Sequence, residues 1–129
     1  MTVAYLLLVA VALASGVWVR RRLVVVVVEG PSMLPTLQPG DRVLVRRTSL
    51  ARIRSGQVVV LRRPGPQAWM IKRAAAVPGE PWDDRPVPAG WLAVLGDNPD
   101  SSADSREFGL VPAASVLGAV VRHLPPAGV

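Results

Sequence analysis

Lys72 is the first residue whose type and setting indicate chemistry, because it is the single lysine in a chain with fourteen arginines. An arginine stays protonated at any useful pH, whereas a lysine in an apolar setting can lose its proton and act as a general base. Lys72 lies between residues 69–71 (Trp-Met-Ile) and the Ala/Val run 74–77. A composition rich in Arg, Ala and Val explains a lone lysine equally well.

A general base needs a nucleophile, and Ser32 is the candidate. It lies 40 residues before Lys72, within the segment Gly-Pro-Ser-Met-Leu-Pro-Thr at 30–36. On its own, a serine in this setting is more typical of a helix N-cap. Taken together, Ser32 and Lys72 suggest a hydroxyl activated by a neutral amine.

Cysteine and histidine usage narrows the possible chemistry. The chain has no cysteine and one histidine, His123, near its C-terminus. Disulfides and thiolate zinc sites are therefore excluded, and we predict no metal and no cofactor. A lone histidine in such a place is usually a surface residue. A serine–histidine mechanism would need His123 as its general base, so elimination favours Lys72 as the base.

The net charge of +6 is carried by arginine, which suggests nucleic acid or anionic lipid as a partner. The basic residues are scattered through strand-like segments, and no basic helix or aromatic-interleaved platform is evident. We therefore predict no nucleic-acid partner and expect a membrane lipid surface instead.

The N-terminal segment supports a membrane. Residues 3–19 are apolar and uncharged, and three arginines at 20–22 follow them. Seventeen helical residues span about 25 Å, slightly less than a ~30 Å hydrocarbon core. We predict a single-pass anchor with a basic stop over residues 1–22. The alternative is a cleaved signal peptide, since Ala12-Leu13-Ala14 resembles a cleavage site, although no Lys or Arg precedes the apolar run.

The remainder of the chain predicts a mainly β fold. Turn signals rich in Gly, Pro and Asp separate the β-branched runs, which predicts a small antiparallel β-sandwich or barrel over residues 23–124, with a tail at 125–129. We expect short helical turns near 33–35 and 112–116, and loops at 63–66 and 82–89. The predicted strands are Leu23–Val28, Arg42–Val45, Gln57–Leu61, Trp69–Val77, Trp91–Leu95 and Val116–Val121.

Three segments in this order make a specific pattern. They are Gly-Pro-Ser-Met-Leu-Pro-Thr-Leu at 30–37 with Gly-Asp-Arg-Val-Leu-Val at 40–45, then Gly-Gln-Val-Val-Val-Leu at 56–61 with Ile-Lys-Arg-Ala-Ala-Ala-Val-Pro-Gly-Glu at 71–80, and finally Gly-Asp-Asn at 96–98 with Ser-Ala-Asp-Ser-Arg at 102–106. Together they resemble the type I signal peptidase family of membrane-anchored serine–lysine peptidases, over about residues 24–122 and the anchor.

The resemblance implies catalytic roles for Ser32 as nucleophile and Lys72 as general base. It implies that Ser102 orients the lysine and that Asp104 and Arg106 form an ion pair that braces the Ser102 segment. Without the resemblance, Asp104 and Arg106 could equally be an ordinary surface ion pair.

The resemblance also implies that the turn at Asp97 and Asn98 brings this loop to the active site. It assigns Met33, Leu37 and Ile71 to the pocket for a small substrate side chain, where they could equally be core residues. Gly30 occupies the place where some family members carry a serine that donates to the oxyanion, so the second oxyanion donor is unassigned.

The function expected from this resemblance is cleavage of a signal peptide or pro-peptide from a precursor protein after a small residue. Only 23 residues separate Lys72 from Gly96, where larger members insert a β domain, so we expect a minimal form acting on few substrates. The family implies a cell-membrane location with the catalytic domain on the extracytoplasmic side. The arginines at 20–22 favour the opposite orientation by the positive-inside rule.

Two other interpretations of the chain are open. A self-cleaving repressor-type protease also pairs a Ser-Met nucleophile with a lysine base, but that group lacks the Gly-Asp-Asn segment and normally carries a helix-turn-helix domain. A non-enzymatic, membrane-anchored β module could instead use its arginine surface to bind lipid or a partner.

Overall fold

The computed structural model describes residues 1–62 and 69–124. The loop expected at 63–66 and the tail expected at 125–129 lie outside the described residues. The elements, in chain order, are α1 (Thr2–Arg22), β1 (Leu23–Val27), β2 (Arg42–Arg47), β3 (Val58–Arg62), β4 (Trp69–Ala76), β5 (Pro81–Trp82), β6 (Arg85–Pro86), β7 (Trp91–Leu95), α2 (Ser105–Phe108), β8 (Val111–Pro112) and β9 (Val116–Leu124), with 3₁₀ turns at Leu50–Arg52, Pro99–Ser101 and Ala113–Ser115.

The helix α1 is long and apolar enough to cross a membrane. Its 21 residues correspond to about 32 Å, which matches a hydrocarbon core. It is exposed to its surroundings along its whole length and ends in three arginines at 20–22. The chain passes directly from α1 into β1, so the start of the sheet lies beside the end of this helix.

Seven strands form one curled, antiparallel, half-barrel sheet in the order β1-β2-β9-β3-β4-β7-β8. This confirms the mainly β class. All six predicted strands form, and their ends differ from the predicted ends by at most three residues. The strand β1 lies at one edge of the sheet and pairs with β2 from Leu23↔Arg46 to Val27↔Arg42.

The central strand β3 is covered on both faces. Val59 and Leu61 pack into one hydrophobic cluster, with Leu92 and Val94 of β7, while Val60 packs into another. Because side chains alternate along a strand, a strand buried on both faces is a continuous apolar run, which is the pattern at 58–61.

Two local expectations were wrong. The segment 82–89, expected as a loop, contains the β5–β6 hairpin, whose turn places Asp83 and Asp84 at φ 52° and 65°. Positive φ at both central residues is typical of a two-residue hairpin turn, and aspartate tolerates it better than most residues. Prolines at both ends concealed the strands, because proline is depleted in strands and confined mostly to edges.

The helix expected to begin near Met33 is a series of turns instead. The Leu34 N–H donates to the Pro31 carbonyl and the Leu37 N–H to the Met33 carbonyl. Pro35 disfavours the helical backbone conformation at the preceding residue, Leu34, so a regular helix is interrupted here. The other helical turn, expected near 112–116, is confirmed, since residues Ala113–Ser115 form a 3₁₀ turn.

Candidate active site

Ser32 and Lys72 line the same cleft, which has a volume of about 480 Å³. Ser32 is partly exposed on the turns that follow β1, whereas the Lys72 side chain on β4 is only 4% exposed. One wall of the cleft is the edge strand β1, from Val24 to Val27. A hydroxyl and a buried amine therefore share one opening.

The Lys72 amine belongs to a chain of hydrogen bonds. Lys72 Nζ donates to Ser102 Oγ at 3.0 Å, and Ser102 Oγ donates to Asp104 Oδ2 at 3.0 Å. Since the single hydroxyl proton of Ser102 points to Asp104, its lone pairs are available to the amine. The arrangement fixes where Lys72 Nζ lies.

Asp104 is fully buried and anchors this chain. Its carboxylate accepts from Arg106 Nε at 2.9 Å and Nη2 at 2.6 Å, and from the backbone N–H groups of Gly96 and Arg106. The Arg106 guanidinium holds the pKa of Asp104 well below the usual carboxyl range, and the other hydrogen bonds act in the same direction. Asp104 also caps α2. Asp104 and Arg106 thus brace the Ser102 segment.

Gly96, which lies directly after β7, has a structural role that its motif did not reveal. A Cβ at this position would lie 2.0 Å from Ser102 Oγ and 2.7 Å from the Ser32 carbonyl oxygen. Only glycine lets β7 end this close to both segments. Gly30, which lines the cleft, has φ +71°, so a serine at this position would be strained.

The turn at Asp97 and Asn98 holds the Ser32 segment in place. The Asn98 N–H donates to the Ser32 carbonyl at 2.9 Å, and Asn98 Nδ2 donates to the Pro31 carbonyl at 3.1 Å. Asp97 accepts from Thr36 Oγ1 at 2.6 Å. Three bonds therefore tie the loop after β7 to the turns that carry Ser32.

Arg73 joins the same turn to β4. Its guanidinium donates to Asp97 through Nε at 2.8 Å and Nη2 at 2.7 Å, and to the Gly56 carbonyl through Nη1. The Arg73 hydrogen bonds lower the pKa of Asp97, and the Thr36 hydroxyl also lowers it. Sequence analysis missed Arg73 and Thr36 as supports. The sequence feature that could have identified Arg73 is its position directly after Lys72. Side chains alternate along a strand, so the Arg73 side chain points to the face of β4 opposite that of Lys72.

Only some of the residues expected to form the substrate pocket line the cleft. Gly30 and Ile71 line the cleft. Met33 and Leu37, which are 1% and 4% exposed, pack in the core with Val43 and Val60 and do not line it. They support the Ser32 turns from behind.

His123 lies elsewhere and does not line the cleft. Its Nε2 is 2.8 Å from Asp41 Oδ2, and its side chain is about half exposed. Within residues 1–62 and 69–124, no group of three or more His, Cys, Asp or Glu side chains could hold a metal ion.

The structure thus combines an antiparallel β domain and an apolar N-terminal helix with a serine and a buried lysine that line one cleft. The sequence matches the family model described as signal peptidase, peptidase S26, over residues 1–83 and 80–124. The chain therefore belongs to the type I signal peptidase family.

Curated relatives agree with this assignment. The chain is 37% identical over 116 residues to the mitochondrial ATP-independent inner membrane protease subunit 1a of Arabidopsis thaliana, covering 77% of this chain and 69% of that protein. It is 31% identical over 132 residues to signal peptidase I of Leptolyngbya laminosa, covering 73% and 65%. It is 31% identical over 115 residues to mitochondrial inner membrane protease subunit 1 of Mus musculus, covering 79% and 69%.

Proposed function

We propose that this protein is a serine endopeptidase that uses Ser32 as nucleophile and Lys72 as general base. The observation that carries the proposal is the Lys72 amine, buried in the wall of the cleft that Ser32 lines and held by Ser102. Burial disfavours the protonated form of an amine, so the lysine can accept a proton. Family membership supports peptidase chemistry and lends no support to the repressor-type or non-enzymatic interpretations.

The reaction has two halves. Ser32 Oγ attacks the scissile carbonyl carbon while its proton passes to Lys72 Nζ. The tetrahedral intermediate collapses to an ester on Ser32, and the lysine gives the proton to the leaving amine. Lys72 then takes a proton from water, the hydroxide oxygen attacks the ester, and the proton returns to Ser32 Oγ as the new C-terminus leaves.

Each supporting residue has a part in this scheme. Ser102 positions the amine, and the buried Asp104 fixes the direction of the Ser102 hydroxyl. Asn98 and Asp97 hold the turns that present Ser32. The Ser32 N–H is a candidate oxyanion donor, and such a donor contributes roughly 2.7–4 kcal/mol to transition-state binding. Gly30 has no side chain to offer, so the second donor is a backbone N–H or water.

The substrate is a peptide in extended conformation. The strand β1 is an edge strand that lines the cleft from Val24 to Val27, and an edge strand offers backbone groups for pairing with an added strand. The apolar wall, which includes Ile71, suits a small apolar side chain next to the scissile bond. Together with the family, these features favour a signal peptide or pro-peptide of a precursor protein.

We place the protein in the cell membrane by α1, with the catalytic domain on the extracytoplasmic side. The apolar helix α1 and the membrane proteases among the relatives support a membrane location. The choice of side rests on the family resemblance. The three arginines after α1 oppose this orientation, so it is tested separately below.

The deciding experiment compares the full chain with Ser32→Ala, in detergent, on a precursor peptide that contains an Ala-x-Ala cleavage site. We expect cleavage by the native chain and none by the variant, with an ester-linked product trapped on native protein at low pH. Ser55→Ala, which removes a serine that does not line the cleft, is the matched control and should cleave normally. Cleavage by folded Ser32→Ala would contradict the proposal.

The native substrates can be found by comparing precursor N-termini in cells with and without the protein. Uncleaved precursors that appear only in its absence would name the substrates. An unchanged set of N-termini would argue for a non-enzymatic role.

A further inference from the structure

A second groove, of about 690 Å³, lies outside the catalytic cleft. We call it the basic groove, because it is lined by four exposed arginines, Arg22, Arg47, Arg52 and Arg62. The Trp69 side chain lines both this groove and the catalytic cleft. The peptidase chemistry proposed above uses none of the four arginines.

The charge in the basic groove is not compensated by the described parts of the chain. Among its described lining residues there is no aspartate or glutamate, and none of the four arginines forms an ion pair with a described residue. Arg73 and Arg106, in contrast, are paired with Asp97 and Asp104. Four cations beside one opening favour an anionic occupant.

The position of the groove indicates where that anion is found. Arg22 is the last residue of α1, and the next residue, Leu23, pairs with Arg46 of β2. Arg47 and Arg62 lie at the ends of β2 and β3, at the end of the sheet that meets the helix. If α1 crosses the membrane, this end of the sheet lies at the level of the lipid headgroups.

The aromatic and hydroxyl groups of the region also suit a lipid. The Arg62 guanidinium lies over the Trp69 ring at 5.7 Å, and that of Arg22 over the Trp18 ring at 5.9 Å. Tryptophan is enriched at membrane interfaces, where its ring meets both the apolar and the polar layer. The Ser49 and Ser115 side chains line the groove and can donate to phosphate oxygens.

We propose that the basic groove binds the phosphate of an anionic phospholipid headgroup from the membrane that α1 enters. Arginine binds phosphate through its planar, forked donors, and juxtamembrane basic clusters are attracted to anionic lipid. Because Trp69 lies between the two openings, a lipid in the groove fixes the height and tilt of the catalytic cleft above the membrane. The site does not depend on the peptidase mechanism.

The test uses the full chain in a neutral detergent and native mass spectrometry. The protein is titrated with phosphatidylglycerol, with phosphatidylcholine and with inorganic phosphate. We expect one phosphatidylglycerol to bind at least about tenfold more tightly than phosphatidylcholine. Inorganic phosphate at the same concentration should not displace it.

Two triple variants carry the same change in charge. Arg47→Gln/Arg52→Gln/Arg62→Gln should lose the preference for phosphatidylglycerol. Arg54→Gln/Arg85→Gln/Arg122→Gln, which removes three exposed arginines outside the groove, should keep it. Circular dichroism checks that both variants fold. Arg52→Gln alone, on an exposed 3₁₀ turn, is the milder variant if the triple change unfolds the domain, and it should weaken binding several-fold.

Three outcomes would overturn the proposal. Equal binding of the two lipids by the native chain would show that the groove does not select an anionic headgroup. Equal loss in both triple variants would assign the effect to overall charge. Displacement by inorganic phosphate at the lipid concentration would identify free phosphate, not lipid, as the ligand.

Discussion

Asn98 holds Ser32 by its backbone, since the Asn98 N–H donates to the Ser32 carbonyl oxygen at 2.9 Å. The Asn98 side chain adds a bond from Nδ2 to the Pro31 carbonyl at 3.1 Å. The loop after β7 therefore sets the position of the proposed nucleophile through groups that a side-chain change cannot wholly remove.

Asn98→Ala should reduce activity moderately. It removes the Nδ2 bond and keeps the N–H bond, so the expected loss is about 1 kcal/mol, or about fivefold in kcat/KM. Gln38→Ala removes an exposed amide side chain on the chain segment following Ser32 and serves as the control. An Asn98→Ala protein with native kcat/KM would show that the side-chain bond does not help to position Ser32.

Lys72→Arg should abolish turnover while keeping the positive charge. A guanidinium cannot accept the Ser32 proton at physiological pH, so activity should fall by orders of magnitude. Because Lys72 is buried, Lys72→Met provides a variant of similar size whose fold can be compared by circular dichroism. A folded variant that retains more than about a tenth of native activity, roughly 1.4 kcal/mol of barrier, would contradict the serine–lysine mechanism.

The rate should rise with pH, because the amine must be deprotonated to act as a base. The measurement is kcat/KM against pH on the precursor peptide, which should increase towards alkaline pH. A rate that is independent of pH up to the point of unfolding would argue against an amine base.

Gly96→Ala should damage the site without a change of charge. The added Cβ would lie 2.0 Å from Ser102 Oγ and 2.7 Å from the Ser32 carbonyl oxygen, so both segments must move. A displacement of this kind costs on the order of a hundredfold in rate. The control is Gly16→Ala in α1, where a Cβ meets nothing within 4 Å. Equal activity of the two variants would show that this close approach is not needed for catalysis.

Asp104→Asn should lower stability in a pH-dependent way. The Arg106 guanidinium depresses the pKa of Asp104 in the folded state below the ~3.9 of an unfolded aspartate. A depressed folded pKa contributes stability above the unfolded value, and this contribution is lost as the pH falls through the folded value. The difference in urea midpoint between the native chain and the variant should therefore be largest near neutral pH and become smaller below about pH 4. A difference that does not change with pH would contradict the ion pair.

The sidedness of the catalytic domain can be read from one cysteine. The chain has none of its own, and Ala89 is exposed on the turn between β6 and β7. Ala89→Cys should react with an impermeant thiol reagent added outside intact cells. Labelling only after lysis would instead support a cytoplasmic domain, as the arginines at 20–22 suggest.

The sequence by itself determined six of the strands and singled out Ser32 and Lys72 as the candidate catalytic residues. Continuous β-branched runs such as 58–61 bury both faces of a strand, and this is visible without any partner strand. Ser32 and Lys72 were identifiable because their residue types and flanking motifs are local properties of the chain. The β5–β6 hairpin was missed because Pro81 and Pro86 are untypical of strands. The two-residue aspartate turn between the strands forms the hairpin nevertheless.

Only the tertiary structure decided which groups meet. The contact between Gly96 and the Ser32 carbonyl joins residues far apart in sequence, and so do the bonds from Thr36 and Arg73 to Asp97. The structure also decided that Ile71 lines the cleft, whereas Met33 and Leu37 pack behind it in the core. The four arginines of the basic groove come from four separate segments and share no motif. Such contacts depend on strand order and register, which arise from packing the whole sheet and which local patterns do not encode.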